Sequence, residues 1–263
     1  MLNVERVRAG LMTHTFGRAL VYRTCVESTN DVAKELAGQG ALEGTLVVAD
    51  EQTAGRGRMG RHWVAPAGTC LLCSILFRPH LPPARAGWLT MVCALAAADA
   101  VEDVAGLHVA LKWPNDLVVT GWPWRKLAGV LTETSVQGAH VDSAVVGVGL
   151  NVNVPPEALP GLAPDATSIL AESGRAVERE RLLAVMLHGI ERRYAQVCAG
   201  ASPHVEWAGR LATLGRRVRA VTAQGTLNGV AEGVDESGAL DLRTDDGRRV
   251  SLTAADVSLR LEP

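Results

Sequence analysis

A glycine-rich loop after the second apolar segment excludes one common nucleotide-binding fold. Residues 55–60 (GRGRMG) match the pattern G-x-G-x-x-G letter for letter. A dinucleotide-binding βαβ unit needs an acidic residue about 20 positions further on, which holds a ribose hydroxyl. The next acidic residue here is Asp99, and arginines fill two of the variable positions. The loop therefore predicts a fold and a ligand contact that differ from those of nicotinamide enzymes.

The hydrophobic pattern divides the chain into a large part that mixes strands and helices and a small tail of strands. Apolar runs predict strands at residues 20–27, 44–50, 69–77, 108–119, 126–135 and 143–152, with a turn at 121–123. Capping residues and helical spacing predict helices at 28–38, 85–103, 178–198 and 203–213. A proline-rich loop covers 154–164, and residues 216–261 show short alternating strands. We therefore predict an α+β domain followed by a small β-barrel.

Composition disfavours membrane and nucleic-acid proteins. Of the 263 residues, 48% are hydrophobic and 21% are charged, and the formal net charge is −2, which is ordinary for a globular protein. No apolar run approaches the ~20 residues that span a bilayer, and the N-terminus lacks a secretory signal. There is no Lys/Arg-rich tail, whereas a dedicated nucleic-acid binder carries a basic face. We expect a cytoplasmic protein, and the order or disorder of residues 1–15 stays open.

The five cysteines lie in apolar surroundings, and we expect free, buried thiols at Cys25, Cys70, Cys73, Cys93 and Cys198. Cys70 and Cys73 fit C-x-x-C, but no second pair follows at the spacing of a zinc site. They also share a predicted strand, on which residues three apart face opposite sides. The cysteines are therefore predicted to be structural.

The stretch from Gln52 to Ala98 has no acidic residue, yet it carries the arginines Arg56, Arg58, Arg61, Arg78 and Arg85. The first three lie in or beside the glycine-rich loop. Glycines let the backbone fold close over a ligand, and guanidinium groups offer forked donors to phosphate or carboxylate. The local positive charge therefore indicates a small anionic ligand. A solvated basic edge is the alternative, which the crowding of arginines in one loop disfavours.

Lysine is rare in this chain, since only Lys34, Lys112 and Lys126 occur among 26 basic residues. Because arginine serves wherever a generic cation suffices, Lys112 and Lys126 indicate that an ammonium is needed. An ammonium can meet a reacting carboxylate or phosphate and stabilise charge in the transition state. Chance retention is the alternative, and Lys34, on an exposed helix face, is predicted to be of that kind.

Asn115 and Asp116 follow Pro114, which stiffens the chain at this point. Their oxygens are ligands that Mg²⁺ accepts together with the phosphates of a substrate. Closing a turn or capping a helix is the commoner use of Asn-Asp after proline. A magnesium site and a turn therefore stay open as alternatives.

Five segments, in this order, resemble the biotin–protein ligase family. They are residues 27–30 (ESTN), 51–61 (EQTAGRGRMGR) with Trp63 after it, 112–116 (KWPND), 125–129 (RKLAG) and 147–152 (GVGLNV). The match covers residues 20–155, and the β-rich tail is similar to the small C-terminal domain of the family. The resemblance implies a catalytic domain at 1–213, with a mixed, largely antiparallel sheet like that of class II aminoacyl-tRNA synthetases. It implies an SH3-like β-barrel at 214–263.

Some members of this family carry an N-terminal winged helix and repress transcription. Only residues 1–19 precede the first predicted strand, which is too short for that module. We therefore expect the form that lacks the DNA-binding domain, with no binding to DNA. The state of assembly, monomer or homodimer, stays open. So do the adenine contacts, because the loop after Asn151 is rich in proline.

The resemblance also implies roles for single residues. Contacts to biotin are implied for Ser28, Thr29, Asn30 and Gln52. Of these, Thr29 and Gln52 are implied to contact the ureido ring. Closure over biotin and the adenylate is implied for Arg56, Gly57 and Arg58, and room for the ring system is implied at Gly129 and Gly147. Lys126 is implied to lie beside the biotin carboxylate and the α-phosphate. Contact with ATP, its metal or the incoming lysine is implied for Lys112, Asp116 and Asn151. The ligand-binding set is completed by Gly55, Arg61, Trp63 and Gly149, and catalysis is assigned to Lys126, Arg56, Lys112 and Asp116.

The implied reaction has two steps. The biotin carboxylate attacks the α-phosphate of ATP and gives biotinyl-5′-adenylate and pyrophosphate, while Arg56, Lys126 and Mg²⁺ screen the two anions. The glycine-rich loop then shields the adenylate from water. A lysine of the acceptor attacks the acyl carbon and AMP leaves. The implied acceptor is the biotin carboxyl carrier domain of a biotin-dependent carboxylase.

Two other functions stay open. A lipoate or octanoate ligase shares this fold and a lysine of similar role, but its pocket must accept a long acyl chain. The GRGRMGR loop and the polar residues around Thr29 and Gln52 suit a ureido ring better. A non-catalytic biotin or nucleotide sensor is disfavoured because simple binding would not need two ammonium groups in a chain that otherwise uses arginine.

Overall fold

Seven strands form one mixed sheet in the computed structural model, which describes residues 1–121, 123–253 and 255–259. They are β1 (Leu20–Val26), β2 (Leu46–Gln52), β3 (Cys70–Phe77), β4 (Ala110–Lys112), β5 (Asp116–Val119), β6 (Arg125–Gln137) and β7 (His140–Asn151). Their order is β1-β2-β3-β7-β6-β5-β4. β1 and β2 are parallel, and the other neighbours are antiparallel. The predicted mixed, largely antiparallel sheet is therefore confirmed.

Helices cover both faces of this sheet. They are α1 (Val4–Gly10), α2 (Thr29–Gly38), α3 (Gly87–Ala105), α4 (Ile169–Ser173), α5 (Arg179–Cys198) and α6 (His204–Gly209). α3 and α5 join one face in the main apolar cluster, and α2 packs on the other face through a smaller cluster around Ala33 and Val47. β3 is consequently buried along its whole length. Burial on both faces explains why its sequence is continuously apolar instead of alternating.

The N-terminal residues 1–15, whose order the sequence leaves open, contain the ordered helix α1, which packs against α5. The amide of Leu2 donates to Asp50 Oδ1 at 3.2 Å. The Asp50 carboxylate also accepts from Arg179 Nη1 at 2.9 Å and from Tyr22 Oη at 2.5 Å. Asp50 therefore ties the N-terminal segment and the start of α5 to strand β2.

Replacing Asp50 by alanine should destabilise the fold by about 3–5 kcal/mol, because the buried Arg179 guanidinium then has no charged partner. The side chains of Arg179 and Asp50 are only 8% and 6% exposed. Urea unfolding of Asp50→Ala measures this loss. In the double variant Asp50→Ala/Arg179→Met most of it should be recovered, because no charge is left buried. An equal loss in both variants would contradict this account.

The prediction of one strand over residues 108–119 is wrong. The chain reverses at Trp113-Pro114, which has a cis peptide bond, and forms the antiparallel hairpin β4–β5. Proline has no amide hydrogen and interrupts a strand ladder, so Pro114 divides the apolar run into two short strands. The hairpin makes Lys112 the direct cross-strand partner of Asp116. Both residues are thereby brought to the same edge of the sheet.

The other predicted boundaries agree with the structure to within a few residues, except in one helix. The predicted helix over 203–213 ends at Gly209, because Leu211 forms a parallel bridge to Leu111 of β4. Trp122 of the predicted turn lies outside the described residues, as do Ala254 and residues 260–261 of the predicted tail. Within the described ranges, none of the helices combines the length and the apolar character that crossing a membrane requires.

The tail forms a five-stranded antiparallel sheet, in agreement with the predicted small β domain. Its strands are β8 (Arg217–Thr222), β9 (Gly225–Val234), β10 (Leu240–Thr244), β11 (Arg249–Leu252) and β12 (Asp256–Leu259), in the order β11-β10-β9-β8-β12. Two tryptophans of the larger domain donate their indole N–H to its backbone. Trp88 bonds to Glu236 O at 2.7 Å and Trp113 bonds to Gly238 O at 2.8 Å. These bonds fix the tail against the larger domain.

The cysteines are free thiols, as predicted, but the expectation that all of them are buried is wrong. Cys25 and Cys198 are exposed, because they lie on the outer strand β1 and at the end of α5. Cys70 and Cys73 are buried on opposite faces of β3. Burial raises the pKa of the Cys70 thiol to about 11 and that of Cys73 to about 12. These two thiols stay protonated at neutral pH and are poor metal ligands.

Candidate active site

A pocket opens between α2, the sheet and the glycine-rich loop. Its volume is about 910 Å³, counting its open mouth. All of the predicted site residues line it except Gly55 and Asn151, and Asn151 lines a second pocket beside it. Two of the lining residues, Ala255 and Val257, come from the tail. The five segments that carry the family resemblance therefore meet at one place.

One wall of the pocket is a hydrogen-bonded set of polar side chains. The amide and the hydroxyl of Thr29 both donate to Gln52 Oε1, at 2.8 and 2.9 Å. Ser74 Oγ lies 2.6 Å from Asn30 Oδ1 and 2.7 Å from Thr29 Oγ1. Thr29, Asn30 and Ser74 are buried. Buried polar groups that satisfy one another hold fixed orientations, so this wall, which also includes Ser28, is prearranged for a small polar group.

Three glycines of the sheet leave room for side chains that line the pocket. A Cβ on Gly147 would lie 2.3 Å from Asn30 Oδ1, and a Cβ on Gly149 would lie 2.6 Å from the Trp63 indole. Gly129 is the cross-strand partner of Gly149, and a Cβ on it would lie 3.4 Å from the same indole. The expected close approach at Gly147 and Gly149 therefore exists. The room that the sequence assigns to a bound ring at Gly129 and Gly147 is taken here by Trp63 and Asn30.

The glycine-rich loop is a short hairpin. Trp63 N donates to Gly55 O at 2.8 Å, and Gly57 N donates to Arg61 O at 2.7 Å. A Cβ on Gly55 would lie 2.5 Å from Trp63 O, so the hairpin requires glycine there. At the tip, Met59 adopts a left-handed φ of 55° and is 57% exposed. A non-glycine residue in this conformation stores strain, which is typical of a segment that moves.

Arg56, near the start of this loop, is paired with two carboxylates. Its Nη1 lies 2.5 Å from Asp31 Oδ2, and its Nη2 lies 2.7 Å from Asp31 Oδ1 and 3.1 Å from Glu133 Oε2. Lys34 Nζ lies 2.9 Å from both Asp31 Oδ1 and Glu133 Oε1. We call these four residues the Arg56 cluster. Arg56 also lines the pocket, and its closure over the ligand, which the resemblance implies, stays a prediction. Lys34, which the sequence predicts to be an ordinary surface residue, belongs to the same ion cluster.

The contribution of the Arg56 cluster to stability should disappear in acid. The hydrogen bond from Arg56 is the main cause that lowers the pKa of Asp31 from 3.8 to about 2. A lowered folded-state pKa stabilises the protein above the unfolded value, and this effect is lost as the pH falls through the folded value. The Tm difference between the wild type and Asp31→Asn should thus be constant above about pH 5 and shrink towards pH 2. A difference that grows in acid would contradict the assignment.

Lys126 and Asp116 form an ion pair in the pocket, with Nζ 2.7 Å from Oδ1. The two side chains are 26% and 15% exposed. The ammonium also lies 5.7 Å from the centroid of the Trp63 ring, within the range of a cation–π contact. Lys112 lines the same pocket. The two lysines that the sequence singles out therefore line the same pocket.

A second pocket continues from the first past Lys126. It is lined by Asn151, Trp63 and Lys126 and, at and just after the end of the proline-rich loop, by Leu162, Ala163, Asp165 and Ala166. Asn151 Nδ2 donates to Thr167 O at 2.9 Å, and Lys126 N donates to Asp165 O at 2.5 Å. The first bond holds the end of the loop against β7, and the second holds it against β6. The two pockets share a boundary, and the residues that line both of them are Arg61, His62, Trp63, Lys112, Asp116, Lys126 and Val257. The site therefore has two compartments that meet at these residues.

Comparison with known proteins identifies the family. The Biotin/lipoate A/B protein ligase family matches residues 22–151, and the biotin protein ligase C terminal domain matches residues 213–260. A biotin--[acetyl-CoA-carboxylase] ligase of Paracoccus denitrificans is 39% identical over 238 residues, which span 88% of this chain and 96% of that protein. This chain belongs to the biotin protein ligase family. The resemblance of the five segments is thereby confirmed.

Two other relatives of this ligase cover nearly the whole chain. The bifunctional ligase/repressor BirA of Bacillus subtilis is 37% identical over 261 residues, which span 98% of this chain and 79% of that protein. A solved structure, the biotin protein ligase from Aquifex aeolicus in complex with biotin and ATP, aligns with a TM-score of 0.75 at 27% identity. That alignment covers 93% of this chain and 100% of the other. Similarity therefore extends through both domains of the ligase.

Asp116 offers a magnesium ion one carboxylate at the wall of the first pocket. Among the described residues, no three His, Cys, Asp or Glu side chains are grouped so that they could hold a metal. Mg²⁺ is commonly bound by one or two carboxylates together with substrate phosphates, which one pocket-lining carboxylate satisfies. Asn115 Nδ2 instead donates to Val130 O at 2.7 Å. This bond joins the hairpin to β6 and favours a structural role for Asn115.

Sequence reasoning missed several residues of the site of the ligase, among them Ser74, Glu133, Ala255 and Val257. Ser74 is the one hydroxyl residue in the apolar strand β3, and a polar residue in such a run is a signal that the pattern offered. Glu133, likewise, is a charged residue within the predicted strand at 126–135. Ala255 and Val257 belong to a different domain, and nothing in their local sequence indicates that they reach the pocket.

Proposed function

We propose that the ligase joins biotin to a protein lysine in two steps that consume ATP. The biotin carboxylate attacks the α-phosphate of ATP, which forms biotinyl-5′-adenylate and releases pyrophosphate. The lysine amine of the acceptor then attacks the acyl carbon, and AMP leaves. The name of the Aquifex aeolicus structure, which includes biotin and ATP, supports these substrates. The name of the Paracoccus denitrificans relative supports a biotin carboxyl carrier domain as acceptor.

The position of Lys126 carries this proposal. Its ammonium lies where a compartment with a polar wall meets a second compartment beside residues 162–166. A carboxylate in the first and a phosphate in the second would both lie next to this positive charge. Because two anions repel each other, a fixed cation between them stabilises the transition state in which they join. Asp116 orients the ammonium through their 2.7 Å contact.

We assign the ureido ring of biotin to the polar wall, which is formed by Ser28, Thr29, Asn30 and Gln52. A ureido group presents one carbonyl acceptor and two N–H donors. The hydroxyl and amide side chains of the wall supply both functions, and their mutual hydrogen bonds hold them in place. Gly147 supports this arrangement, because its missing side chain is what admits Asn30 to the wall.

We assign the second compartment to the nucleotide. Leu162, Ala163 and Ala166 supply apolar surface for a purine, and Lys112 lies beside Asp116 at the phosphate end. Asp116 would hold Mg²⁺ together with the phosphates, and the ion supplies positive charge that screens the triphosphate. Asn151 acts indirectly, since its amide holds the proline-rich loop through Thr167 O.

The glycine-rich loop is assigned to exclude water from the adenylate, a mixed anhydride that water hydrolyses. Arg58 and Arg61 line the pocket and supply forked donors for an anionic ligand. The strained tip at Met59 supports movement of the loop as ligands enter and leave. We infer the division into a catalytic unit at 1–213 and a small unit at 214–263, the latter contributing Ala255 and Val257 to the pocket wall.

Transfer to an acceptor tests this function directly. The purified protein is incubated with biotin, MgATP and a biotin carboxyl carrier domain, and the carrier is analysed by intact mass and by peptide mapping. Biotin on one lysine of the carrier is the expected result. Transfer of octanoate but not biotin would support the lipoate or octanoate ligase instead. Biotin binding without AMP production would support a sensor.

A further inference from the structure

The Arg56 cluster fixes the start of the glycine-rich loop to the rest of the site. The guanidinium of Arg56 forms a bidentate pair with Asp31, at 2.5 and 2.7 Å, and reaches Glu133 at 3.1 Å. Bidentate guanidinium–carboxylate pairs constrain orientation as well as distance. Asp31 belongs to α2 and Glu133 to β6. The loop is therefore held by one side chain to both a helix and a strand.

Glu133 also orients a side chain of the polar wall. Its Oε2 accepts a hydrogen bond from Asn30 Nδ2 at 2.7 Å, while Asn30 Oδ1 lies 2.6 Å from Ser74 Oγ. An amide whose nitrogen is bound to a carboxylate and whose oxygen is bound to a hydroxyl has one stable orientation. Glu133 therefore contacts both the loop, through Arg56, and the wall, through Asn30. Its side chain is 29% exposed, so it lies at the boundary between the pocket and solvent.

We propose that Glu133 is a positioning residue that anchors the glycine-rich loop through Arg56 and sets the orientation of Asn30 in the polar wall. It touches no reacting atom. Its consequence for catalysis rests on the proposed function: a released loop lets the adenylate escape or hydrolyse, and a rotated Asn30 weakens biotin binding. The anchoring itself is a property of the protein without ligands.

Two substitutions separate the two contacts of Glu133. In Glu133→Gln the amide oxygen can still accept from Asn30, but the charge that pairs with Arg56 and Lys34 is removed. In Glu133→Leu both contacts are lost, at similar side-chain volume. Glu232→Gln is the matched control, because Glu232 lies on strand β9 of the tail, is 31% exposed and is paired with Arg243 and Arg249.

Limited trypsin digestion measures the anchoring without any need for activity, since the loop itself contains arginines. Glu133→Gln should be cleaved within residues 56–61 about fivefold faster than the wild type, the fold-change expected for loss of one ion-paired contact. Glu232→Gln should be cleaved there at the wild-type rate. Equal cleavage of Glu133→Gln and the wild type would overturn the proposal.

Kinetics then separate the two roles. Glu133→Gln should release several times more free biotinyl-adenylate per turnover, with little change in the KM for biotin. Glu133→Leu should show the same release and, in addition, a KM for biotin raised about tenfold, because Asn30 loses its partner. An unchanged KM in Glu133→Leu would overturn the role in orienting Asn30. If the wild type forms no adenylate while the digestion result holds, the proposed function fails and the anchoring stands.

Discussion

Replacement of Lys126 by methionine should lower kcat for adenylate formation by about 10²–10³-fold, the cost of removing one preorganised donor from a transition state that gains charge. Methionine keeps most of the length of the side chain and removes only its charge. The ammonium that is lost lies 2.7 Å from Asp116 and at the junction of the two compartments. Biotin-dependent release of pyrophosphate measures the effect, with substrate binding followed separately by calorimetry.

Two further variants make this result specific. Lys126→Arg keeps the positive charge but replaces a compact ammonium by a planar fork, so its activity should fall between those of the wild type and Lys126→Met. Arg217→Met removes a cation that pairs with Asp245 in the tail, and it should retain full activity. If Lys126→Met keeps wild-type kcat, the ammonium does not stabilise the transition state, and the assigned role is wrong.

Replacement of Gly147 by alanine should raise the KM for biotin about 10–100-fold while kcat at saturating biotin changes far less. The new Cβ would lie 2.3 Å from Asn30 Oδ1 and 3.1 Å from its Cγ, so the amide must leave its place. Each polar group left unpaired in the buried wall costs about 1–3 kcal/mol, and 1.4 kcal/mol corresponds to a factor of ten. Initial rates over a range of biotin concentrations measure the change.

Gly38→Ala is the control for this substitution. A Cβ on Gly38, at the end of α2, meets no atom within 4 Å, so the KM for biotin should stay at the wild-type value. An unchanged KM in Gly147→Ala would mean that Asn30 does not contact biotin. A similar rise in both variants would point to a general effect on α2 instead of a local one in the wall.

The sheet could be predicted from the sequence because its inner strands are buried on both faces. Strand β3 is apolar except for Ser74, β7 is apolar from Ala144 to Leu150, and α3 is a long apolar helix. Such runs leave little choice of structure. The prediction failed around Pro114, because the single apolar run over 108–119 contains two strands that are paired with each other. The period of hydrophobicity does not reveal where a chain reverses.

The residues that form the site were more predictable than the contacts that these residues make with one another. Unusual residues indicated which segments form the site: glycines with arginines in one loop, and two lysines in a chain that prefers arginine. What each of them contacts depends on residues distant in sequence. Arg56 meets Asp31 and Glu133, and Gly149 faces the indole of Trp63. These partners are set by the packing of α2 and β6 across the pocket, which no local pattern encodes.

Formation of biotinyl-5′-adenylate without an acceptor tests the central claim most directly, because it isolates the step assigned to Lys126. The protein is mixed with biotin and MgATP alone, and pyrophosphate release and the bound product are measured by mass spectrometry. One equivalent of biotinyl-5′-adenylate per protein molecule, absent in Lys126→Met and consumed when a carrier domain is added, is the result we predict. Tight binding of biotin and ATP with no pyrophosphate released would contradict the account.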